Sequence, residues 1–299
     1  MGIPNNKLQY YVLDVFANER YKGNPLSVVS VDKDLELPVY QKIAREFGYS
    51  ETSFVYYSSE EKAFKVRSFT PAGIEVNGAG HNLLGAVCLA LEKKWDIFRR
   101  QKNEQFVIMK DKTIQLSTRY DNNNLPFVSM LQKSPIIVNT VPIDEIAPSI
   151  TLHPDDIRLK DWSPAIIKTE VAHLMVPVKD LDCLNKATLN KILLSKAAKK
   201  LGFQGCYCFT LTEQDATYIV QSRFFNPGIG IDEDAATGSA AGPLAFFLYH
   251  KKYINLNEDC YILQGVKMGQ PSTIQIRVSD EGIWVSGSSV IVMEGTLYL

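Results

Sequence analysis

The stretch Arg67-Ser-Phe-Thr-Pro-Ala-Gly73 reappears in the second half of the chain as Arg223-Phe-Phe-Asn-Pro-Gly228. The residues before each copy also match, since Ala44-Arg-Glu-Phe-Gly-Tyr-Ser-Glu-Thr-Ser-Phe-Val55 aligns with Ala198-Lys-Lys-Leu-Gly-Phe-Gln-Gly-Cys-Tyr-Cys-Phe209. After each copy come a glycine, a polar residue and a long apolar run. Three matches in the same order and at nearly constant spacing predict an internal duplication, with two homologous halves of about 150 residues.

Each half contains the same order of predicted elements: an opening strand, an amphipathic helix, two strands, a Gly-rich loop, a buried helix and hairpin-like strands. The buried helices are the apolar runs Leu83–Leu91 and Ala240–Tyr249. A buried helix surrounded by strands, present twice, predicts an α+β protein of two units with a cleft between them. The predicted lobes are residues 1–135 and 136–299, with the alternative that the final strand, near residues 288–299, returns to the first lobe.

Three details of the repeat concern structure alone. The opening strands Tyr10–Phe16 and Ala172–Val178 are predicted to be equivalent. Pro243 is expected in the first turn of the second buried helix, where proline is tolerated. Glu75 aligns with Glu233, which favours a structural role shared by both acids over unique chemistry.

Composition excludes several classes of protein. The 299 residues include 32 Lys and Arg against 33 Asp and Glu, so the formal charge is −1 and neither nucleic acid nor an anionic membrane is expected as a partner. We expect no membrane span, no signal peptide and a cytoplasmic location, because no apolar run approaches the ~20 residues that a bilayer requires. The five cysteines are predicted to be free thiols, and the four scattered histidines predict no metal site.

Gly80 and Gly238 stand immediately before the two buried helices. Because helix N-termini present N–H groups and the positive end of the helix dipole, they suit carboxylates or developing oxyanions. The polar residues that follow, His81 and Ser239, favour this interpretation over glycines that only permit tight turns. A two-fold duplication would direct both helix starts at one site in the cleft.

Two acids break the repeat. Glu51 enters an apolar strand where the other half has Gly205, and Asp234 precedes the second helix where the first half has Val76. A carboxylate in an apolar strand is costly unless it is paired or has a raised pKa. A single such group beside two oxyanion sites is what proton abstraction next to a carbonyl or imine requires. The alternatives are a capping or salt-bridged glutamate and a helix-capping aspartate.

Several segments resemble the PhzF family, which is named for the isomerase of phenazine biosynthesis and is related to the diaminopimelate epimerase and proline racemase folds. They are Val15-Phe16 with Gly23-Asn-Pro-Leu-Ser-Val-Val29, Ser50-Glu-Thr-Ser-Phe-Val55, Arg67-Ser-Phe-Thr-Pro71 with Gly80-His81, and Gly230-Ile-Asp-Glu-Asp-Ala-Ala-Thr-Gly-Ser-Ala240. The resemblance implies two pseudo-symmetric lobes, each a barrel-like sheet around a central buried helix. It also implies cofactor-free proton chemistry on a small molecule in the cleft, a biosynthetic role and a homodimer.

The same resemblance implies the roles of individual residues. Glu51 looks like the family's catalytic acid/base, which takes a proton from one carbon and returns it to another. His81 and Asp234 look like its polar substrate partners. The residues that look like the oxyanion or carboxylate cradle are Gly80, Gly238 and Ser239.

The residues before the two helix starts decide the reaction subtype. Racemases and epimerases of the related folds use two opposed thiols there, whereas this chain has Ala79 and Thr237. Neither side chain can serve as a low-pKa acid/base, which excludes stereoinversion by two thiols. The nearest thiol, Cys88, is predicted to lie in the core. One base, Glu51, suits a hydrogen shift or tautomerisation on a single face.

Other positions depart from the family pattern and leave the substrate open. Asn77-Gly78-Ala79 and Asn82-Leu83 flank the Gly-His pair, and Ala235 stands where proline is frequent. Because these positions are expected to line the cleft, the substrate need not be dihydrohydroxyanthranilate. The preferred prediction is an isomerase of a small carboxylated, amino-bearing metabolite. The alternatives are an epimerase with non-thiol bases, for which Asp234 is the candidate second base, and a small-molecule-binding or partner-binding protein that retains the fold.

Overall fold

A computed structural model of the chain describes residues 7–76, 78–95, 105–121, 123–132, 135–213 and 216–299. The chain divides into two compact units. The first contains residues up to Met130 together with Ser286–Leu299, and the second contains Leu131–Val285. No helix among the described residues is long and apolar enough to cross a membrane.

The described residues form strands and helices in the following order: β1 (Lys7–Val15), β2 (Asn24–Ser30), α1 (Leu37–Phe47), β3 (Thr52–Ser58), β4 (Ala63–Phe69), α2 (His81–Glu92), β5 (Phe106–Met109), β6 (Lys112–Tyr120), β7 (Pro126–Gln132), β8 (Ile136–Thr140), α3 (Ile143–Ile146), β9 (Ala165–Lys168), β10 (Ala172–Pro177), α4 (Leu181–Lys186), α5 (Lys191–Leu201), β11 (Gly205–Leu211), β12 (Val220–Asn226), β13 (Ile231–Asp234), α6 (Gly238–His250), β14 (Cys260–Gln264), β15 (Ser272–Ser279) and β16 (Gly282–Tyr298).

The first unit is a barrel-like sheet around α2. Strand β1 pairs antiparallel with β2, β2 is parallel to β3, and β3 is antiparallel to β4. Strand β4 is parallel to β5, β5 is antiparallel to β6, and β6 is antiparallel to β7. Strand β16 neighbours both β7 and β1 and thus completes a ring of eight strands. Helix α2 packs against β1 to β4, and its residues from His81 to Ala90 are all buried. The predicted α+β class with a central buried helix is confirmed for this unit.

The second unit repeats the same order of pairing senses. Strand β9 is antiparallel to β10, β10 is parallel to β11, β11 is antiparallel to β12, β12 is parallel to β14, and β14 is antiparallel to β15. Strand β13 adds to β12, and β8 adds to β9. Helix α6 packs against β9, β10 and β15, and most of its residues are buried.

The equivalence predicted for the opening strands is wrong. By the order of pairing, β10 holds the place of β2, and β9 holds the place of β1. In the first unit, β2 is the strand that precedes the amphipathic helix α1 and lies parallel to the strand that follows it. Both β1 and β2 are largely apolar, so the sequence pattern does not distinguish which of them β10 repeats.

The repeated Arg-containing stretch forms the same ion pair in each unit. The Arg67 guanidinium donates two hydrogen bonds to the Glu75 carboxylate, at 2.8 and 2.9 Å, and Arg223 donates two to Glu233, both at 2.8 Å. Such two-pronged pairs fix geometry as well as adding energy. Each pair ties the strand that carries the arginine, β4 or β12, to the segment between that strand and the buried helix. The structural role predicted for both glutamates is confirmed.

Pro243 lies inside α6 and not in its first turn, so that expectation is wrong. The helix begins at Gly238, two residues before the apolar run from which its start was inferred. Because proline has no N–H, Pro243 cannot donate to the carbonyl of Ser239 four residues earlier. The helix therefore lacks this one backbone hydrogen bond.

Candidate functional site

In the first unit, the start of α2 is shaped by Asn82. Its side-chain oxygen accepts hydrogen bonds from the N–H groups of Gly80 (2.8 Å) and Leu83 (2.7 Å), and its amide donates to the Gly78 carbonyl (3.2 Å). The N–H groups of His81 and Asn82 have no acceptor among the described residues. The Gly80 N–H is therefore already bonded to Asn82, whereas the N–H groups of His81 and Asn82 are those available to a ligand. The neighbouring Asn77 lies outside the described residues.

Glu51 lies beside this helix start. It immediately precedes β3, is 7% exposed, and its carboxylate Oε2 is 4.0 Å from Nδ1 of His81. The other ring nitrogen of His81 is 3.4 Å from the Ser50 hydroxyl. The structure thus brings together two of the predicted site residues, Glu51 and His81, at the N-terminus of α2.

The His81 ring is uncharged at neutral pH. Burial lowers the pKa of His81 to about 3, despite the carboxylate 4.0 Å away, because the low-polarity interior disfavours the imidazolium. The ring therefore acts beside Glu51 as a neutral hydrogen-bonding group and not as a cation. A neutral imidazole carries one N–H donor and one acceptor nitrogen, which suits a group that holds a polar substrate.

In the second unit, Asp234 is joined to the start of α6 through Thr237. The Thr237 hydroxyl donates to Oδ2 of Asp234 at 2.6 Å, and both residues are 6% exposed. The N–H groups of Ala240 and Ala241 donate to the Thr237 carbonyl. Those of Gly238 and Ser239 have no acceptor in the described part of the chain. Asp234 does not cap the helix directly, but it fixes the residue that precedes the helix.

Gln264, which is not among the predicted site residues, holds this arrangement in place. Its side-chain oxygen accepts from the Thr237 N–H (3.1 Å) and the Tyr207 hydroxyl (2.7 Å). Its amide donates to the Asp234 carbonyl (2.8 Å) and to the Thr237 hydroxyl (3.1 Å). Gln264 is fully buried at the end of β14. A glutamine ending an apolar strand was the available signal, since buried amides are retained only where they are paired.

Ser239 has a histidine neighbour that is not among the predicted site residues. Its hydroxyl oxygen is 3.4 Å from Nε2 of His173, which lies in β10 and is 2% exposed. The structure thus places the predicted residues Gly238 and Ser239 at the start of α6, with Asp234 bound to Thr237 just before it, and His173 beside Ser239. No motif surrounds His173, because its partner Ser239 is distant along the chain.

The second unit has no room for an acid at the position that aligns with Glu51. A Cβ atom on Gly205 would lie 2.1 Å from the ring of Phe224, far inside contact distance. Phe224 also packs edge-on against His173. The difference between Glu51 and Gly205 is therefore a difference in packing as well as in chemistry.

All five cysteines are free and buried, and the Cys88 thiol donates to the Pro126 carbonyl. Burial raises the pKa of Cys88 to about 12, so its thiol is a poor acid/base at neutral pH. Among the described residues, no group of three His, Cys, Asp or Glu side chains is arranged to hold a metal ion.

Residues 13–295 match the sequence family described as phenazine biosynthesis-like protein, PhzC-PhzF. The chain belongs to this family. A curated member, the trans-2,3-dihydro-3-hydroxyanthranilate isomerase of Pseudomonas aeruginosa, is 29% identical over 296 residues, which cover 97% of this chain and 99% of the relative. The resemblance inferred from the motifs is therefore confirmed.

Two solved structures extend the comparison to the fold. A PhzF-family protein from Bacillus anthracis superposes with a TM-score of 0.85 at 24% identity and covers 98% of this chain and 100% of its own. A hydroxyproline epimerase from Agrobacterium vitis superposes with a TM-score of 0.67 at 9% identity, over 100% of this chain and 94% of its own. The predicted α+β, epimerase-like fold class is confirmed. The prediction of an enzyme of the isomerase class is confirmed through the PhzF family and its curated isomerases.

Proposed function

We propose that this PhzF-family protein is a cofactor-independent isomerase that moves a proton on a small carboxylated, amino-bearing metabolite, with Glu51 as the single acid/base. The observation that carries the proposal is the buried Glu51 carboxylate beside the neutral His81 ring and the first N–H groups of α2. A carboxylate in such a place can remove a proton from carbon, while the N–H groups stabilise the negative charge that develops on a conjugated oxygen.

A single base accounts for a hydrogen shift on one face of the substrate. Glu51 would take the proton from one carbon, which leaves an extended anion, and the same carboxyl group would return the proton to another carbon of that system. Phe224 leaves no space for an acidic side chain at Gly205, the position that aligns with Glu51, and this supports one base over two. The hydrogen bond from Thr237 to Asp234 favours a positioning or binding role for Asp234 over that of a second base.

The two helix starts would hold the polar groups of the substrate. At α6 the N–H groups of Gly238 and Ser239 suit a carboxylate, since helix N-termini favour anions. Asp234 and His81 supply hydrogen-bonding groups for amino or hydroxyl substituents. A trans-2,3-dihydro-3-hydroxyanthranilate, the substrate named for the Pseudomonas aeruginosa relative, carries all three kinds of group and is the first compound to test.

The experiment compares the wild type with Glu51→Gln, which removes the base and keeps the shape. Isomerisation of trans-2,3-dihydro-3-hydroxyanthranilate and of a panel of small amino and hydroxy acids is followed by absorbance, and binding is measured by calorimetry. We expect Glu51→Gln to lose at least about 10³-fold in turnover, within the range of general acid–base catalysis, with binding and thermal unfolding nearly unchanged. Glu60→Gln, an exposed glutamate in the turn after β3, is the matched control. Full activity in Glu51→Gln would contradict the proposal.

Several expectations accompany this proposal. The same order of pairing senses in both units supports an internal duplication. A cytoplasmic location and a reaction cleft between the halves stay predictions from the sequence, and homodimeric assembly and a biosynthetic role stay predictions from the resemblance.

A further inference from the structure

We propose that His173 is a positioning residue of the substrate site, which orients the Ser239 hydroxyl at the start of α6 through its Nε2 atom. This inference rests on the proposed function, because it assumes that the first turn of α6 holds the substrate. It assigns a role to a buried histidine that no motif of the sequence singles out.

The geometry supplies the first argument. Nε2 of His173 is 3.4 Å from the Ser239 hydroxyl oxygen, and Ser239 is the second residue of α6. Ser239 is partly exposed, whereas His173 behind it is 2% exposed. The ring therefore contacts Ser239 from the protein interior and leaves the outer side of the hydroxyl for a ligand.

The ring is held in one orientation. His173 pairs with Gly205 across β10 and β11, and Phe224 packs edge-on against the ring with centroids 5.3 Å apart. Because a Cβ on Gly205 would collide with Phe224, this glycine is required for the packing that fixes the histidine. A buried ring packed against Phe224 is restricted in its orientation and can in turn restrict the hydroxyl that it contacts.

The charge state of the ring is constant. Burial lowers the pKa of His173 to about 3, with a smaller opposing effect from the Gly205 backbone. The imidazole is therefore neutral throughout the pH range in which an enzyme of this kind works. A neutral ring sets the direction of the hydroxyl without adding a positive charge that would compete for the substrate carboxylate.

The first unit contains the same pair with its members exchanged. At α2 the histidine is on the helix and the serine, Ser50, stands before β3, with Nε2 of His81 3.4 Å from the hydroxyl. At α6 the serine is on the helix and the histidine is in the sheet. Each pair places one polar group in the first turn of a buried helix, where an apolar side chain would pack equally well. A Ser–His pair at both helix starts therefore favours a role in the site over a role in core packing alone.

The test is a double-mutant cycle of His173→Phe and Ser239→Ala, with His173→Gln as the rescue variant. Phenylalanine keeps the ring and its contact with Phe224 but removes the hydrogen bond, and glutamine restores a hydrogen-bonding group. KM and kcat are measured for trans-2,3-dihydro-3-hydroxyanthranilate, and thermal unfolding reports folding. A second readout, the ¹⁵N NMR shifts of the His173 ring with and without the Ser239 hydroxyl, needs no substrate.

We expect His173→Phe to raise KM by about 5- to 13-fold, as loss of one net hydrogen bond of about 1–1.5 kcal/mol would. The expected change in kcat is smaller, and His173→Gln should recover most of the loss. In the Ser239→Ala background, His173→Phe should have no further effect, and the ring ¹⁵N shifts should change when the hydroxyl is removed. Equal losses in both backgrounds, or ring shifts unchanged by Ser239→Ala, would overturn the role of His173 alone. A wild type that turns over no substrate would overturn the proposed function and, with it, this role.

Discussion

The Glu51 carboxylate oxygen lies 4.0 Å from Nδ1 of a His81 ring that burial keeps neutral. This relationship separates the two roles at the start of α2. In the proposed mechanism Glu51 takes up and releases the proton, whereas burial keeps the His81 ring uncharged near neutral pH. An ion pair between the two would have bound the carboxylate more tightly and made it a weaker base.

The first prediction concerns His81. Replacement by alanine should lower kcat/KM by about 10- to 100-fold, because a hydrogen bond to a charged group is worth about 1.5–3 kcal/mol. His81→Gln should lose less, since glutamine retains a donor and an acceptor. Steady-state kinetics with the substrate named above provides the measurement. Equal activity of His81→Ala and the wild type would remove His81 from the site.

The second prediction concerns the dependence of stability on pH. Burial lowers the pKa values of His81 and His173 to about 3, whereas both histidines titrate near 6.5 once the chain unfolds. Between these values the unfolded chain binds more protons, so the free energy of unfolding falls as pH decreases from about 6.5 towards 3. Where the histidine is fully protonated in the unfolded chain and neutral in the folded protein, each one should change the free energy of unfolding by about 1.4 kcal/mol per pH unit.

Urea unfolding at pH 7, 6 and 5 measures this slope. His173→Gln should reduce it by up to half, whereas the same change at the exposed His153 serves as control. An identical slope in the wild type and in His173→Gln would show that His173 is accessible to protons in the folded protein.

A third prediction tests the packing that excludes an acid from the second unit. Gly205→Ala places a Cβ 2.1 Å from the Phe224 ring and should lower the free energy of unfolding by about 1–3 kcal/mol. Gly228→Ala is the control, because its nearest atom, Oδ1 of Asn226, is 3.5 Å away. We expect the control to change stability by no more than about 0.5 kcal/mol. A Gly205→Ala variant as stable as the control would mean that Phe224 moves aside freely.

The fourth prediction concerns Gln264. Gln264→Leu leaves the Thr237 N–H and the Tyr207 hydroxyl buried without their acceptor, at a cost of about 1–3 kcal/mol for each group. Activity should also fall, because the same glutamine holds Thr237 and Asp234 at the start of α6. Tyr207→Phe removes only one of these hydrogen bonds and should have a smaller effect in both assays. If Gln264→Leu were as stable and active as the wild type, the network would not support the site.

Much of the fold follows from local patterns in the chain. Helices α1 and α5 end at Gly48 and Gly202, whose φ values of 71° and 76° are those of a left-handed helix cap. Because glycine favours this conformation, both helix ends are predictable from the sequence. The repeated Arg67 and Arg223 stretches likewise predict equivalent structures. The failures concern places where the pattern is ambiguous. Pro243 was misplaced because α6 begins before its apolar run, and the strands β1 and β2 are too alike to be told apart.

Glu51 is identifiable in the sequence because it breaks the repeat at the position that aligns with Gly205. The partners that come from distant strands are not identifiable in this way. Gln264 and His173 are single polar residues in apolar strands, and only the folded chain shows that they meet Thr237 and Ser239. The constraint that Phe224 places on Gly205 is likewise a matter of packing, which spacing along the sequence does not reveal.

The most direct test of the central role of Glu51 is the reaction in D₂O followed by NMR. Wild type and Glu51→Gln are incubated with trans-2,3-dihydro-3-hydroxyanthranilate, and the position and configuration of every exchanged hydrogen are assigned. The account predicts that the wild type isomerises the substrate, with hydrogen or deuterium delivered on one face and no inverted stereocentre, and that Glu51→Gln neither isomerises nor exchanges. Exchange that persists at the wild-type rate in Glu51→Gln, or exchange with inversion, would contradict it.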